Sequence, residues 1–226
     1  DMENYTAVVE LNDLFPNVPF LWRMLNFNHT TKMRTMTYSA RNLVTIDVCP
    51  HIHPTFTRIL RETLKLKFNS RRKVILCSRT PKNTYVPDRY LENEGEVEKL
   101  LWRLYGKERV EVFDHLWYSM NETIELFSSA ALIVGMHGGS LYNQYFASNN
   151  TVIVEIMPVL KDGRYPDQRS LNTTPSFSPM AIWTSANLIG QPFWRYYLIT
   201  DRAKLHTINI KEFEKFLRQI QVDFDD

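Results

Sequence analysis

The sequence predicts an α/β fold, a Rossmann-like layer on a parallel sheet, and three observations carry that expectation. From residue 73 onward, short apolar runs alternate with amphipathic stretches of helical period. The apolar runs suit strands buried on both faces, as in a parallel sheet flanked by helices. Strand and helix recur at a spacing that fits right-handed crossovers.

In chain order, residues 1–40 read as irregular, with "LFPNVP" as a turn-rich loop. "NLVTIDVC" (42–49) reads as a strand. Residues 53–68 read as a helix with Phe56, Ile59, Leu60, Leu64 and Phe68 on one stripe. "KVILC" (73–77) is a buried strand. A helix over 93–106 has Asn93 as its cap, Glu96 to complete a capping box and Gly106 to end it. "RVEVFD" (109–114) is a strand, and 119–130 a helix boxed by Ser119 and Glu122. "LIVGM" (132–136) is a strand, 140–147 a short helix and "TVIVEIM" (151–157) a strand. A polar loop (158–177) leads to a helix from Ser178-Pro179 to Gly190, with proline in the first turn. "WRYYLIT" (194–200) is a further strand, and Asn209 caps a last amphipathic helix over 210–220. There is no internal repeat. No Gly/Ser linker divides the chain, and a boundary is expected near "NSRR" (69–72), giving domains 1–69 and 70–226.

With 226 residues, 44% of them hydrophobic, the chain can bury one large core or two modest ones. The net charge of +2, from 27 basic and 25 acidic residues, argues neither for nor against nucleic acid, and none is expected as a partner. No apolar run reaches the length of a membrane span, so this segment is not expected to contact a membrane. The chain opens on Asp1 without a secretory leader, as expected of a processed or excised piece. Cys49 and Cys77 form no metal pattern and are either one disulfide or two buried thiols. Sequons at Asn4, Asn28, Asn121, Asn149 and Asn172 lean towards the secretory pathway.

The stretch "AALIVGMHGGSLYNQYF" (130–146) holds the first candidate site. In a parallel sheet, ligands bind at the carboxyl ends of the strands. Gly138 and Gly139 follow His137 at such an end, where they permit positive φ and remove Cβ atoms from the turn. Bare N–H groups at the following helix start would favour a phosphate, with His137 beside it as a neutral or cationic donor. The alternative is a tight strand-to-helix turn with a hydrogen-bonded histidine. The second candidate is "CSRTPKNTYVPDRYLENEGE" (77–96), where Ser78 and Arg79 follow a strand and Arg89, Asn93 and Glu94 lie further along. Arginine suits bidentate contacts to a diphosphate. His51 and His53 form an H-x-H pair with no third ligand at a recognisable spacing, so no metal is expected.

These stretches together resemble glycosyltransferase family 61. The shared pattern is Ser78-Arg79, Arg89, Asn93-Glu94 and Glu96, then Ala131, His137-Gly138-Gly139, Leu141 and Phe146, then Val154-Glu155-Ile156 and Pro158. Trp194-Arg195 and the final helix look like the end of the animal members. The resemblance covers roughly 55–220. It departs in having Gly139 where the family usually has alanine, and in a short amino-terminal part: only the tail of a first Rossmann-like domain is expected in 1–69, which bears on acceptor binding. The resemblance implies a GT-B fold and an inverting transfer of N-acetylglucosamine from a UDP-sugar to a glycan or glycoprotein acceptor, in the lumen of the endoplasmic reticulum or Golgi. An inactive member that only binds nucleotide or glycan is the alternative; a phosphate-ester hydrolase using His137 lacks a nucleophile. By the resemblance, Arg79 and His137 are catalytic. The donor site is Ser78, Arg79, Arg89, His137, Gly138, Gly139, Ser140, Leu141, Asn143 and Glu155, with Glu155 on the ribose hydroxyls and the N–H groups from Gly138 to Leu141 on the diphosphate. No metal is expected as a cofactor. The general base is left unnamed: His51 and His53 face the cleft in a GT-B arrangement, and His115 and Asp114, on the ligand edge, either serve the acceptor or close the strand.

Overall fold

A computed structural model describes residues 6–9, 29–32, 54–68, 70–79, 90–161, 181–200 and 205–225. The expected strand at 42–49, residues 162–177 of the expected polar loop, the start of the helix expected from Ser178-Pro179, His51, His53, Cys49 and Arg89 lie outside these residues. The chain divides into two compact units, Asp1–Leu66 and Lys67–Asp226.

In the first unit, β1 (Thr6–Val9) pairs in parallel with β2 (His29–Lys32), two strands in the stretch expected to be irregular. Each is only four residues long, too short for periodicity to declare it. Helix α1 spans Pro54–Thr63, five residues short of the expected end. Lys65 takes a left-handed φ of 49°. The N–H of Leu66 donates to the carbonyl of Arg61, and that of Lys65 to Glu62, a Schellman closure formed without glycine.

The second unit is an α/β layer. Its strands are β3 (Lys73–Cys77), β5 (Val110–Phe113), β6 (Ala130–Met136), β7 (Val152–Leu160) and β8 (Phe193–Thr200). They form one sheet in the order β5-β3-β6-β7-β8, every pair parallel. A small parallel pair, β4 (Tyr90–Leu91) with β9 (Leu205–His206), lies apart from it and was not expected from the sequence. Helices α2 (Glu94–Tyr105), α3 (Met120–Ser128), α4 (Ala181–Ile189) and α5 (Ile210–Leu217) complete the unit, with a 3-10 helix at Gly139–Phe146.

Both sheet faces bury apolar side chains. On one, Val74, Leu76, Leu132, Val134, Val154 and Ile156 pack with Val97, Leu100 and Leu101 of α2 and Phe213 and Leu217 of α5. The opposite face takes α3, the 3-10 helix and α4. Phe113 meets Phe127 of α3 edge-on at 4.9 Å, and Tyr145 donates to Ser185 of α4 at 2.8 Å. The capping box of Ser119 and Glu122 and the cap by Asn209 form as expected. Asn93 differs. Its side chain makes no cap bond. It donates to the carbonyl of Ile208 at 2.9 Å and accepts from the Ile208 N–H at 3.0 Å, tying α2 to the chain that enters α5.

Candidate active site at the strand switch point

After β3 the chain crosses to β5 on one side; after β6 it crosses to β7 on the other. Neighbouring strands whose connections diverge leave a crevice at their carboxyl ends, the switch point where open α/β sheets bind ligands. Arg79 lies two residues past β3, and His137 directly follows β6.

Arg79 is held from several directions. Its backbone N–H donates to Glu94 Oε2 at 2.8 Å, and Ser78 Oγ donates to Glu94 Oε1 at 2.7 Å. Its carbonyl accepts from the N–H of Leu91 at 3.1 Å. Glu94, at the start of α2, therefore pins the turn that aims the guanidinium. Arg79 Nη1 then donates to the carbonyl of His137 at 2.6 Å, closing the two strand ends onto each other.

The glycine pair has a different reason from the one expected. Neither glycine takes a left-handed φ, and Gly138 is extended at φ 161°. A Cβ on Gly138 would lie 1.7 Å from Arg79 Nη1, whereas one on Gly139 would meet nothing within 4 Å. Gly138 thus makes room for the arginine, not directly for a ligand. The segment that follows is a 3-10 helix, in which the Leu141 N–H donates to the Gly138 carbonyl at 3.1 Å. That corrects the expectation that Leu141 offers its amide: it is spent in the helix, and the side chain is fully buried. The N–H groups of Gly139 and Ser140 come before the first intrahelical bond, so the helix itself supplies them no acceptor. Asn143 Nδ2 donates back to the carbonyl of Ser140 at 3.0 Å.

Glu155 also stands elsewhere than expected. It is 0% exposed, so its carboxylate does not face ribose hydroxyls at a surface. Oε1 lies 2.5 Å from His137 Nδ1. Oε2 accepts from Arg195 Nε and Nη2, each at 2.7 Å. Sheet register explains the meeting, because Gly135, Glu155 and Arg195 are successive cross-strand partners. A buried carboxylate demands such partners. Burial lowers the Arg195 pKa, but the Glu155 charge and Tyr197 outweigh it and leave the guanidinium above its ordinary value. The signal was in the sequence: one glutamate inside the apolar run "VIVEIM" and one arginine inside "WRYYLIT".

Ser78 is anchored by Glu94 as described, and Arg89 lies outside the described residues. Cys77 is a buried free thiol whose pKa burial drives upward. His115 and Asp114 lie just past β5, with 3.9 Å between His115 Nδ1 and Asp114 Oδ1. Among the described residues, no group of three or more His, Cys, Asp or Glu is placed to hold a metal ion.

The model of one family, Glycosyltransferase 61, matches residues 7–154. The chain belongs to glycosyltransferase family 61. The matched span begins in the first unit, well before residue 55 where the resemblance was expected to start, and includes Arg79 and the His137-Gly138-Gly139 turn. It ends at Val154, one residue before Glu155, and not near residue 220. No curated protein matches the chain. Membership supports a glycosyltransferase.

Proposed function

We propose that the chain is an inverting glycosyltransferase of the GT-B type. It transfers N-acetylglucosamine from a UDP-sugar to a hydroxyl of a glycan or protein acceptor, in the lumen of the endoplasmic reticulum or Golgi. The acceptor oxygen forms a bond to the anomeric carbon as the bond to the diphosphate breaks. The hydroxyl proton passes to a base, and UDP leaves with the bonding pair. Acceleration requires donors aimed at the charge that develops on the departing diphosphate.

The observation that carries this reading is the contact of Arg79 with the His137 carbonyl at 2.6 Å, across the switch point. It sets a guanidinium, one of whose five N–H donors is taken by that carbonyl, at the strand end that leads into the amides of Gly139 and Ser140. Arginine and amides in this arrangement suit a pyrophosphate. His137 adds an imidazole at the same strand end. The sequons support the proposed compartment.

The test is calorimetric titration with UDP, followed by incubation with UDP-N-acetylglucosamine and a mannosyl peptide. In Arg79→Ala, UDP affinity is expected to fall at least about tenfold, the equivalent of ~1.4 kcal/mol. Unchanged affinity in a folded variant removes Arg79 from the site. UDP binding without turnover on any acceptor would instead mark a member that binds and does not transfer.

A further inference from the structure

We propose that Arg195 is a positioning residue of this site: it anchors Glu155, and Glu155 fixes His137 as the tautomer that carries its proton on Nδ1, with Nε2 as the basic nitrogen of the ring. The inference rests on the transferase reading for its purpose, though not for its geometry.

Glu155 has two oxygens and two partners. Arg195 places both Nε and Nη2 on Oε2, which leaves Oε1 to His137. An ionised carboxylate can only accept, so the proton of the 2.5 Å contact belongs to Nδ1. The arginine is itself steadied, with Phe193 and Tyr197 flanking the guanidinium at 5.4 and 5.9 Å.

Burial of Glu155 alone does not account for His137. One cation in register on β8 is enough to neutralise a carboxylate on β7. The second partner comes from the strand end beside Gly138, where His137 is 8% exposed. The same histidine receives Arg79 on its backbone carbonyl. Its ring is thus set from the β8 side and its carbonyl is engaged from the β3 side. Arg195, Glu155, His137 and Arg79 form one chain of hydrogen bonds across four adjacent strands, β8, β7, β6 and β3. Metal-binding and triad histidines are oriented by the same device, a carboxylate on the ring nitrogen that does no chemistry.

The experiment is long-range proton–nitrogen NMR on the full chain with 15N-labelled histidine, with UDP as the added probe. Wild-type His137 is expected to report a single tautomer, protonated on Nδ1. In Arg195→Met the carboxylate loses its cation and its fixed orientation, so His137 is expected to depart from the single Nδ1-protonated pattern. Arg195→Lys restores the charge and the wild-type pattern. Should Arg195→Met fail to fold, the double variant Glu155→Gln with Arg195→Met removes both buried charges. Glutamine can accept or donate, so His137 there is expected to show mixed tautomers. A His137 pattern identical to wild type in a folded Arg195→Met or double variant overturns the proposal. UDP is expected to move the Nε2 resonance more than Nδ1. A fixed tautomer in the wild type that ignores UDP leaves the relay standing and removes the nucleotide site instead.

Discussion

A methyl group at Gly138 would occupy the place of the Arg79 guanidinium, 1.7 Å from Nη1. Overlap on that scale cannot be absorbed by a few tenths of an ångström of movement. The guanidinium has to leave the His137 carbonyl. Gly138→Ala is therefore expected to weaken UDP binding about tenfold or more, as the loss of a charged phosphate contact does. Gly139→Ala is the internal control. Its Cβ enters open space, and its affinity should remain within about threefold of wild type. Calorimetric titration of both folded variants checks the pair, and equal affinities would mean that Arg79 does not need its present place. Two adjacent glycines look equivalent in a sequence. They part company only because a side chain from another strand arrives over one of them.

Helix α2 shows how an element starts a site. Its first-turn Glu94 receives the Ser78 hydroxyl and the Arg79 amide, so the helix start and the strand end fix each other. Burial raises the Glu94 pKa; the bonds from Arg79 and Ser78 pull it down, and the Glu98 and Asp114 charges add to the rise. The net shift is upward, so the folded state favours the protonated form. The stability this group contributes is fully present below the ordinary carboxylate value near about 4.3 and is lost as pH rises through the raised folded value. Glu94→Gln keeps an acceptor for the Arg79 amide and a donor for Ser78 without the titration. The urea midpoint of Glu94→Gln relative to wild type is expected to rise with pH above that ordinary value. A difference that stays flat with pH would show that Glu94 does not titrate this way. Glu94 was legible as part of a motif, but its partners were not, since they lie 15 and 16 residues away. Asn93 illustrates the same limit: it sits at a cap position, yet the Ile208 backbone 115 residues on takes its side chain instead.

At the scale of the second unit, the two sheet faces divide the labour. Both faces bury apolar side chains, but the face under α2 and α5 is apolar throughout its cluster, whereas the other, with Ile75, Ile133 and Ile153, also holds the buried Glu155 and its partners. Phe213 of α5 is fully buried and packs on Tyr196, 4.9 Å between ring centroids. Phe213→Ala is expected to cost about 3–5 kcal/mol, the usual range for emptying an aromatic site in a core. Urea unfolding measures the loss, and UDP affinity at low denaturant should be retained because the cavity opens on the face away from the crevice. Weakened UDP binding with little loss of stability would contradict this division. The sequence by itself determined the alternation of strands and helices, most of the caps and the two motifs, because periodicity, capping and glycine content are local properties of a chain. Only the tertiary structure decided that β3 and β6 are neighbours at a switch point, that Gly138 serves Arg79, and that Glu155 faces inward to Arg195 and His137. Those facts depend on strand order and register, which bring together residues separated by 18 to 58 positions, and no local pattern encodes which strand lies beside which.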